Sequence, residues 1–517
     1  MKRTLPFLLA LLLVVAPAFA QEPPKREFRG AWLHIVGNQQ IKNLSREQIQ
    51  QWFTATLDAL QAQGCNAVIF QVRPQADAFY VSELEPWTRF MTGEQGVAPD
   101  PLWDPLQFMI EQCHARGMEL HAWLNPYRVT SNDKEQLHPD HLYFRKPEIF
   151  KRYGKQLYFD PGEPEAVAHT VNVIADIVTR YDVDAIHFDD YFYPYPEKFE
   201  EFHDDTSFAR YGAAQGFEYW QKNDWRRNNV ETLIHAVNDT IKAIKPWVRF
   251  GISPFGIHRN KKDDPEGSET NGLSNYDQLF ADVPGWAEKG YIDYIVPQLY
   301  WRIGYPAADY EVLINWWNDK DYKGQLYIGQ SIERSLDGAA KNASTPSLLK
   351  SSKNFLAKIN QARGNKRVQG NCFWYAYQVE DNEFGVRDFL KQSVFQTHAM
   401  PPAFKNLDDD APDKVRELDG SLVRMSDKVG LYLKWAAPKA NKKDVNDPVL
   451  YYNVYRFAKG ESVNTRNMDH LCAQVSKPEF LDFGIGTAGK YTYVVTAVDH
   501  YNNEGVPMKK VFKIKLK

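Results

Sequence analysis

Between residues 28 and 395 two hydrophobic spacings take turns along the chain. Short period-two runs at 28–35, 66–74, 119–128, 249–257, 291–301, 325–331 and 371–378, with another opening at Asp184, read as strands. Between most of them apolar residues recur at helical spacing. Ser45 is placed to cap a helix over 46–62 whose buried face is Ile49, Trp52, Phe53, Leu57 and Leu60. Further helices are expected at 105–116, 163–181, 224–245 and 385–392. The connections 76–104, 129–160 and 194–223 are long, and the second is expected to fold over the mouth of the resulting sheet. Eight strands alternating with helices predict an α/β fold with a parallel sheet closed into a (β/α)8 TIM barrel. An open doubly wound sheet is the runner-up. It would bring a glycine-rich turn after the first strand, where residues 34–43 hold only Gly37.

Beyond Pro401-Pro402 the pattern changes. Residues 431–435, 451–456 and 491–499 alternate with period two, without helical spacing between them. The run 491–499, the turn-forming Asn502-Asn503-Glu504-Gly505 and Trp435 resemble a fibronectin type III sandwich. The division expected is a signal peptide at 1–20, a barrel domain at 21–400, a linker at 401–411 and a small all-β sandwich at 412–517. The leader carries Lys2 and Arg3, an apolar stretch over 5–15 and Ala18-Phe19-Ala20 as a cleavage site. A periplasmic or extracellular protein without a stable membrane span follows as an expectation. A formal charge of -4 offers no basic field for nucleic acid. Cys65, Cys113, Cys372 and Cys472 have no metal-binding spacing. No cofactor and no metal are expected, and the chain is read as a monomer.

Candidate chemistry concentrates in residues 184–194, where a buried strand ends in two adjacent carboxylates, Asp189 and Asp190, among Tyr191, Phe192 and Tyr193. Alternation puts Ala185, His187, Asp189 and Tyr191 on one face and Ile186 and Phe188 on the other. The other strand ends are also polar or aromatic: His34, Gln71, Arg73, Asn125, Tyr127, Ser253, Gln298, Tyr300, Trp301, Gln330, Trp374 and Gln378. An active site at the carboxyl ends of barrel strands would collect them. From this set the expected catalytic groups are Asp189 and Asp190. His34, Arg73, Asn125, Tyr127, His187, Tyr191, Gln298, Tyr300, Trp301 and Trp374 are expected to bind substrate. Aromatics make up 14% of the chain, enough to supply stacking surfaces for sugar rings beyond the core's needs. There is no nucleophile elbow and no phosphate loop, which leaves carboxylate chemistry on a sugar.

The ordered motifs Phe28-Arg29-Gly30-Ala31-Trp32, Val72-Arg73-Pro74, Trp123-Leu124-Asn125-Pro126, Asp160-Pro161-Gly162-x-Pro164-Glu165, His187-Phe188-Asp189-Asp190-Tyr191 and Gly251-Ile252-Ser253-Pro254-Phe255-Gly256 resemble the glycosyl hydrolase-like family 10, over roughly residues 27–395. The resemblance implies an exported (β/α)8 glycoside hydrolase acting on O-glycosidic bonds. Its implied substrate is the glycan strand of peptidoglycan or a related N-acetylated polysaccharide. The Asp184-x-x-His187-x-Asp189 spacing is also similar to the α-amylase-type fourth strand, whose last Asp is the nucleophile, with His187 where that pattern carries Arg. Asp189 is therefore the expected attacking or supporting carboxylate. The second carboxyl group is open among Asp160, Glu163, Asp190, Glu333, Glu380, Asp381 and Glu383. In a further option the substrate's own N-acetyl group attacks, with one Asp as acid and its neighbour orienting the acetamido group. Two competing readings remain: a non-hydrolytic glycan-binding barrel, and a metal-dependent deacetylase.

Overall fold

The computed structural model describes residues 23–515 apart from 39, 42–43, 337–352, 426–427 and 440–448. The expected signal peptide at 1–20 lies outside the described residues. Eight parallel strands close into a barrel: β1 Phe28–Leu33, β2 Ala67–Arg73, β3 Glu119–Leu124, β4 Ala185–Phe188, β5 Arg249–Ile252, β6 Tyr294–Ile295, β7 Gln325–Ser331 and β8 Val368–Trp374. Each pairs with its sequence neighbours, and Phe28 opposite Gly370 closes the ring. The barrel predicted from the alternation is therefore present, and the open sheet is not.

The outer layer holds α1 Arg46–Ala62, α2 Pro105–His114, α3 Pro164–Arg180, α4 Lys222–Ile244, α5 Val283–Lys289, α6 Tyr310–Asn318, α7 Lys353–Gly364 and α8 Val386–Phe389. α1 starts as its sequence requires. The Ser45 side chain accepts from the Gln48 amide and the Gln48 side chain accepts from the Ser45 amide, satisfying two free donors of the first turn. Its buried side chains Ile49, Phe53, Leu57 and Leu60 join the main core between strands and helices, with Ile186 and Phe188 of β4 on the same side. The opposite parity of β4 faces the barrel axis, where Ala185 packs with Phe28, Trp32, Ile69, Trp123 and Tyr294.

Three strands stop short of their hydrophobic pattern with a proline close behind. As continuous strands the runs at 119–128, 249–257 and 291–301 end at Leu124, Ile252 and Ile295, and past the last two the pairing goes on only as isolated bridges, Phe255 with Gln298 and Gln298 with Gly329. Pro126, Pro254 and Pro297 lie two residues further on, and a proline has no amide hydrogen to give to the ladder. Each break frees the next few residues to turn over the barrel mouth. The connection at 129–160 forms a hairpin of Phe150–Tyr153 with Gln156–Phe159. It is held to the rim by a bridge between Arg128 and Tyr158.

The C-terminal strands are antiparallel. β9 Arg416–Met425, β10 Lys428–Ala436 and β13 Glu479–Asp482 form one sheet; β12 Leu471–Val475, β11 Val449–Ala458, β14 Gly489–Asp499 and β15 Met508–Ile514 form the other. Leu433 and Trp435 of the first share a core with Val454 and Tyr493 of the second. This part seats against the amino-terminal end of the barrel. Phe404 and Tyr501 enter the cluster on the barrel axis, and the Asn502 side-chain amide donates to Glu119 at 2.8 Å.

Room inside the barrel is tightly allotted. A Cβ on Gly251 of β5 would lie 2.0 Å from the Tyr294 ring, which is fully buried. Gly251→Ala is expected to lower unfolding stability by about 1–3 kcal/mol, the usual cost of overpacking. Denaturant melts of the two proteins check this; an unchanged midpoint would mean that Tyr294 is not packed there.

Candidate active site

β4 ends at Phe188, one residue before the first acid. Asp189 keeps the inward parity of the strand. Asp190, released from the ladder, turns to the same side, and both line a cleft of about 460 Å³ at the carboxyl ends of the strands. The walls are flat: Trp32, Trp123, Tyr191, Tyr300, Trp374 and Tyr375. Asp189 accepts from the Trp123 indole at 3.1 Å and from the Tyr191 amide at 3.3 Å. Asp190 accepts from the Tyr195 hydroxyl and the Gln298 amide group.

Both carboxyls are almost fully buried, at 4% and 3% exposure, while still lining the cleft. Burial penalises the charged form of each, and the charge of one opposes the charge of the other. Burial, then the neighbouring Asp190, push Asp189 up to about 7. Asp190 is also raised by burial, while Tyr195 and Gln298 favour its charged form. Asp189 is therefore the member of the pair that titrates near neutrality.

Arg128 is the cation beside the two acids. Its guanidinium lies 4.7 Å from the Tyr191 ring centre and opposes the rise at both acids. Nothing in the sequence pattern singles it out, because it lies beyond the end of β3 in a turn set by Asn125. The Asn125 side-chain oxygen accepts from the Tyr127 amide at 3.2 Å and the Arg128 amide at 2.8 Å.

Of the expected site residues, His34, Asp189, Asp190, Tyr191, Gln298, Tyr300 and Trp374 line the cleft. His34 is neutral: burial pushes it down to about 4, and its ring stacks on Trp374 at 5.2 Å. Five others lie elsewhere. Arg73 is a correction: fully buried, it forms a two-pronged ion pair with Glu85 and donates to the Asn125 carbonyl, so it has no hand free for a substrate carboxylate. A register shift between Gln71 and Arg73 re-aims the end of β2, leaving Gln71 on the cleft and Arg73 behind it. Asn125 and Tyr127 are fully buried in the turn that carries Arg128. His187 lies one layer below the floor, with no exposure. Trp301 packs against Phe255 at 5.4 Å, outside the cleft.

Among the alternatives for a second carboxyl group, Asp190 and Glu333 line the cleft. Asp160 is taken by Ser207 at 2.7 Å and the Gly162 amide at 2.9 Å. Glu163 faces Arg210 and Tyr211, and Glu380 accepts from Thr56 at 2.7 Å. Asp381 faces Gln40 at 3.4 Å, and Glu383 opens a 3-10 turn away from the cleft. Glu333 and Arg334, on the turn after β7, complete the rim. Among the described residues no cluster of three His, Cys, Asp or Glu side chains is placed to hold a metal.

A family model described as Glycosyl hydrolase-like 10 matches residues 27–345. The chain is 39% identical over 523 residues to Glycosyl hydrolase YngK of Bacillus subtilis (strain 168), covering 98% of each chain. It is 40% identical over 344 residues to Glycosyl hydrolase DigH of Escherichia coli (strain K12), covering 61% of this chain and 77% of that one. Among solved structures it is similar to the PgaB (BpsB) glycoside hydrolase domain from Bordetella bronchiseptica at 12% identity and a TM-score of 0.44, covering 71% of this chain and 98% of that one.

The raised Asp189 couples the site to stability. Its folded value of about 7 exceeds the ordinary 3.8, so the folded state holds a proton that the unfolded chain gives up. Stability from this group is present at low pH and is lost as pH rises from about 4 to about 7. Asp189→Asn is expected to raise the melting temperature at pH 8 and to change it less at pH 4. A substitution that destabilises equally at both values would contradict the assignment.

Proposed function

The chain belongs to the glycosyl hydrolase-like 10 family, and on that premise we propose that it is an exported glycoside hydrolase. Its proposed substrate is an O-glycosidic bond in peptidoglycan glycan strands or a related N-acetylated polysaccharide. The observation that carries this reading is the pair of buried adjacent carboxyls on an aromatic cleft, with Asp189 pushed up to about 7. An acid with a value near neutrality is suited to giving a proton to a leaving glycosidic oxygen. The indole and phenol walls supply flat faces for pyranose rings.

The raised value of Asp189 favours one assignment of roles. Asp189, protonated below about 7, is the general acid. This reverses the expectation that Asp189 attacks the anomeric carbon, since an attacking carboxylate must be ionised at the working pH. Asp190, whose charged form Tyr195 and Gln298 favour against the burial that raises it, is the partner that orients and polarises the acetamido N–H while its carbonyl oxygen attacks. Glu333, at the rim, is the alternative second carboxyl group for a pathway through water or enzyme. Arg128 supplies the cation suited to a substrate carboxylate, the role first expected of Arg73. The C-terminal sheets, three strands facing four with Trp435 buried between them, support a fibronectin type III-like module after a linker at 401–411. Its proposed role is to brace the barrel floor.

The test is purified protein on a panel of N-acetylated glycans, read as new reducing ends. Cleavage is expected with wild type. Asp189→Asn is expected to lose about 10²–10⁴-fold in kcat with little change in KM, as for a removed general acid. Wild-type activity is expected to fall as pH rises through about 7, where Asp189 gives up its proton. Arg128→Gln removes a charge that opposes the rise and is expected to move that limb to higher pH. Binding without any new reducing ends would instead support the glycan-binding reading.

A further inference from the structure

Beneath the cleft a column of buried polar groups runs down the barrel axis. Ser253, on the cleft floor, is 2.9 Å from His187 Nε2. His187 Nδ1 is 3.0 Å from the Tyr294 hydroxyl, which is 2.8 Å from His121 Nδ1. His121 Nε2 is 2.9 Å from Glu119, whose other oxygen accepts from Arg249 at 2.7 Å and from Asn502 at 2.8 Å. All seven side chains are buried.

The direction of every bond in the column follows from its lower end. Burial raises Glu119, but Arg249 and His121 hold it down to about 2, so it is a carboxylate and can only accept. His121 Nε2 must then carry a proton. Burial keeps both imidazoles neutral, leaving His121 Nδ1 with a lone pair. Tyr294 must donate to it, and its oxygen accepts from His187 Nδ1–H. His187 Nε2 is left as an acceptor. The upper end gives the same answer independently: the Trp32 indole, which can only donate, faces His187 Nε2 at 3.5 Å. Ser253 must therefore spend its hydroxyl proton on His187, because two lone pairs at 2.9 Å would repel. The Phe188 carbonyl, 3.4 Å away, is a poorer acceptor.

We propose that this column is a polarity relay, in which Glu119 beneath the barrel fixes the tautomer of His187 and makes Ser253 Oγ an obligate acceptor for a hydroxyl or amide N–H of the bound sugar. The identity of that donor rests on the glycan reading; the relay itself does not. Ser253 is the specificity-determining residue, and His187, Tyr294, His121 and Glu119 are positioning residues. The C-terminal part takes a share through Asn502, which helps hold Glu119 in place.

Nitrogen-15 NMR of histidine-labelled full-length protein tests the relay without turnover. The expected wild-type result is opposite tautomers, with the proton on Nδ1 of His187 and on Nε2 of His121. In Glu119→Gln the amide oxygen faces Arg249 and Asn502, so its NH2 group must face His121. Both histidines are then expected to exchange tautomers, with KM rising roughly 3–10-fold, the range of one hydrogen bond. A wild-type His187 protonated on Nε2, or a His187 that keeps its Nδ1 proton in Glu119→Gln, overturns the proposal. Ser253→Ala is expected to raise KM by a similar factor with kcat within about twofold, and Ser253→Thr to restore it. An unchanged KM in Ser253→Ala overturns the role of Ser253. A protein inactive on every glycan would remove the glycan reading while the spectra still decide the relay.

Discussion

Two adjacent carboxyl groups taken out of water resist being charged together. At the end of β4 the chain buries Asp189 and Asp190 side by side, and burial together with the neighbouring charge pushes Asp189 up to about 7. The surroundings break the symmetry between them. Asp190 receives a phenol and an amide, while Asp189 receives an indole and a backbone amide. Environment, not residue type, sets the two consecutive aspartates apart.

The barrel supplies what that separation needs. Closing eight strands gives a dry axis in which polar groups must find partners, because a buried unpaired group costs on the order of 1–3 kcal/mol. The axis of this barrel meets that demand with Ser253, His187, Tyr294, His121 and Glu119 bonded in series. Gly251 leaves space for Tyr294 at the middle of the series, and Asn502 meets its lower end. The cleft chemistry and the packing at the opposite end of the barrel thus belong to one hydrogen-bonded system.

The strand count, the barrel and the inward acid of β4 were legible because period-two alternation survives wherever a strand is buried on both faces by different layers. Ser45 and Gln48 were legible because a capping box is local. What stayed hidden depends on where strands stop. Pro126, Pro254 and Pro297 interrupt three strands, and side-chain direction past those points follows turn geometry that alternation cannot report. Arg73 and Arg128 are the clearest pair. The first follows β2 in pattern but is turned by a register shift toward Glu85, a loop residue whose position no spacing reveals. The second ends the 119–128 run, on the parity opposite Trp123, and reaches the cleft because Asn125 sets its turn. His187 was legible as inward-facing but not as covered, since depth along the axis depends on which neighbours are bulky.

Carbon-13 NMR of aspartate-labelled protein, following the carboxyl signals of Asp189 and Asp190 with pH, tests the central claim most directly. One proton should leave the pair with a midpoint near 7, and Asp190→Asn, by removing the neighbouring charge, should bring the remaining Asp189 midpoint down. Two signals that both titrate in the ordinary range for aspartate would contradict the account.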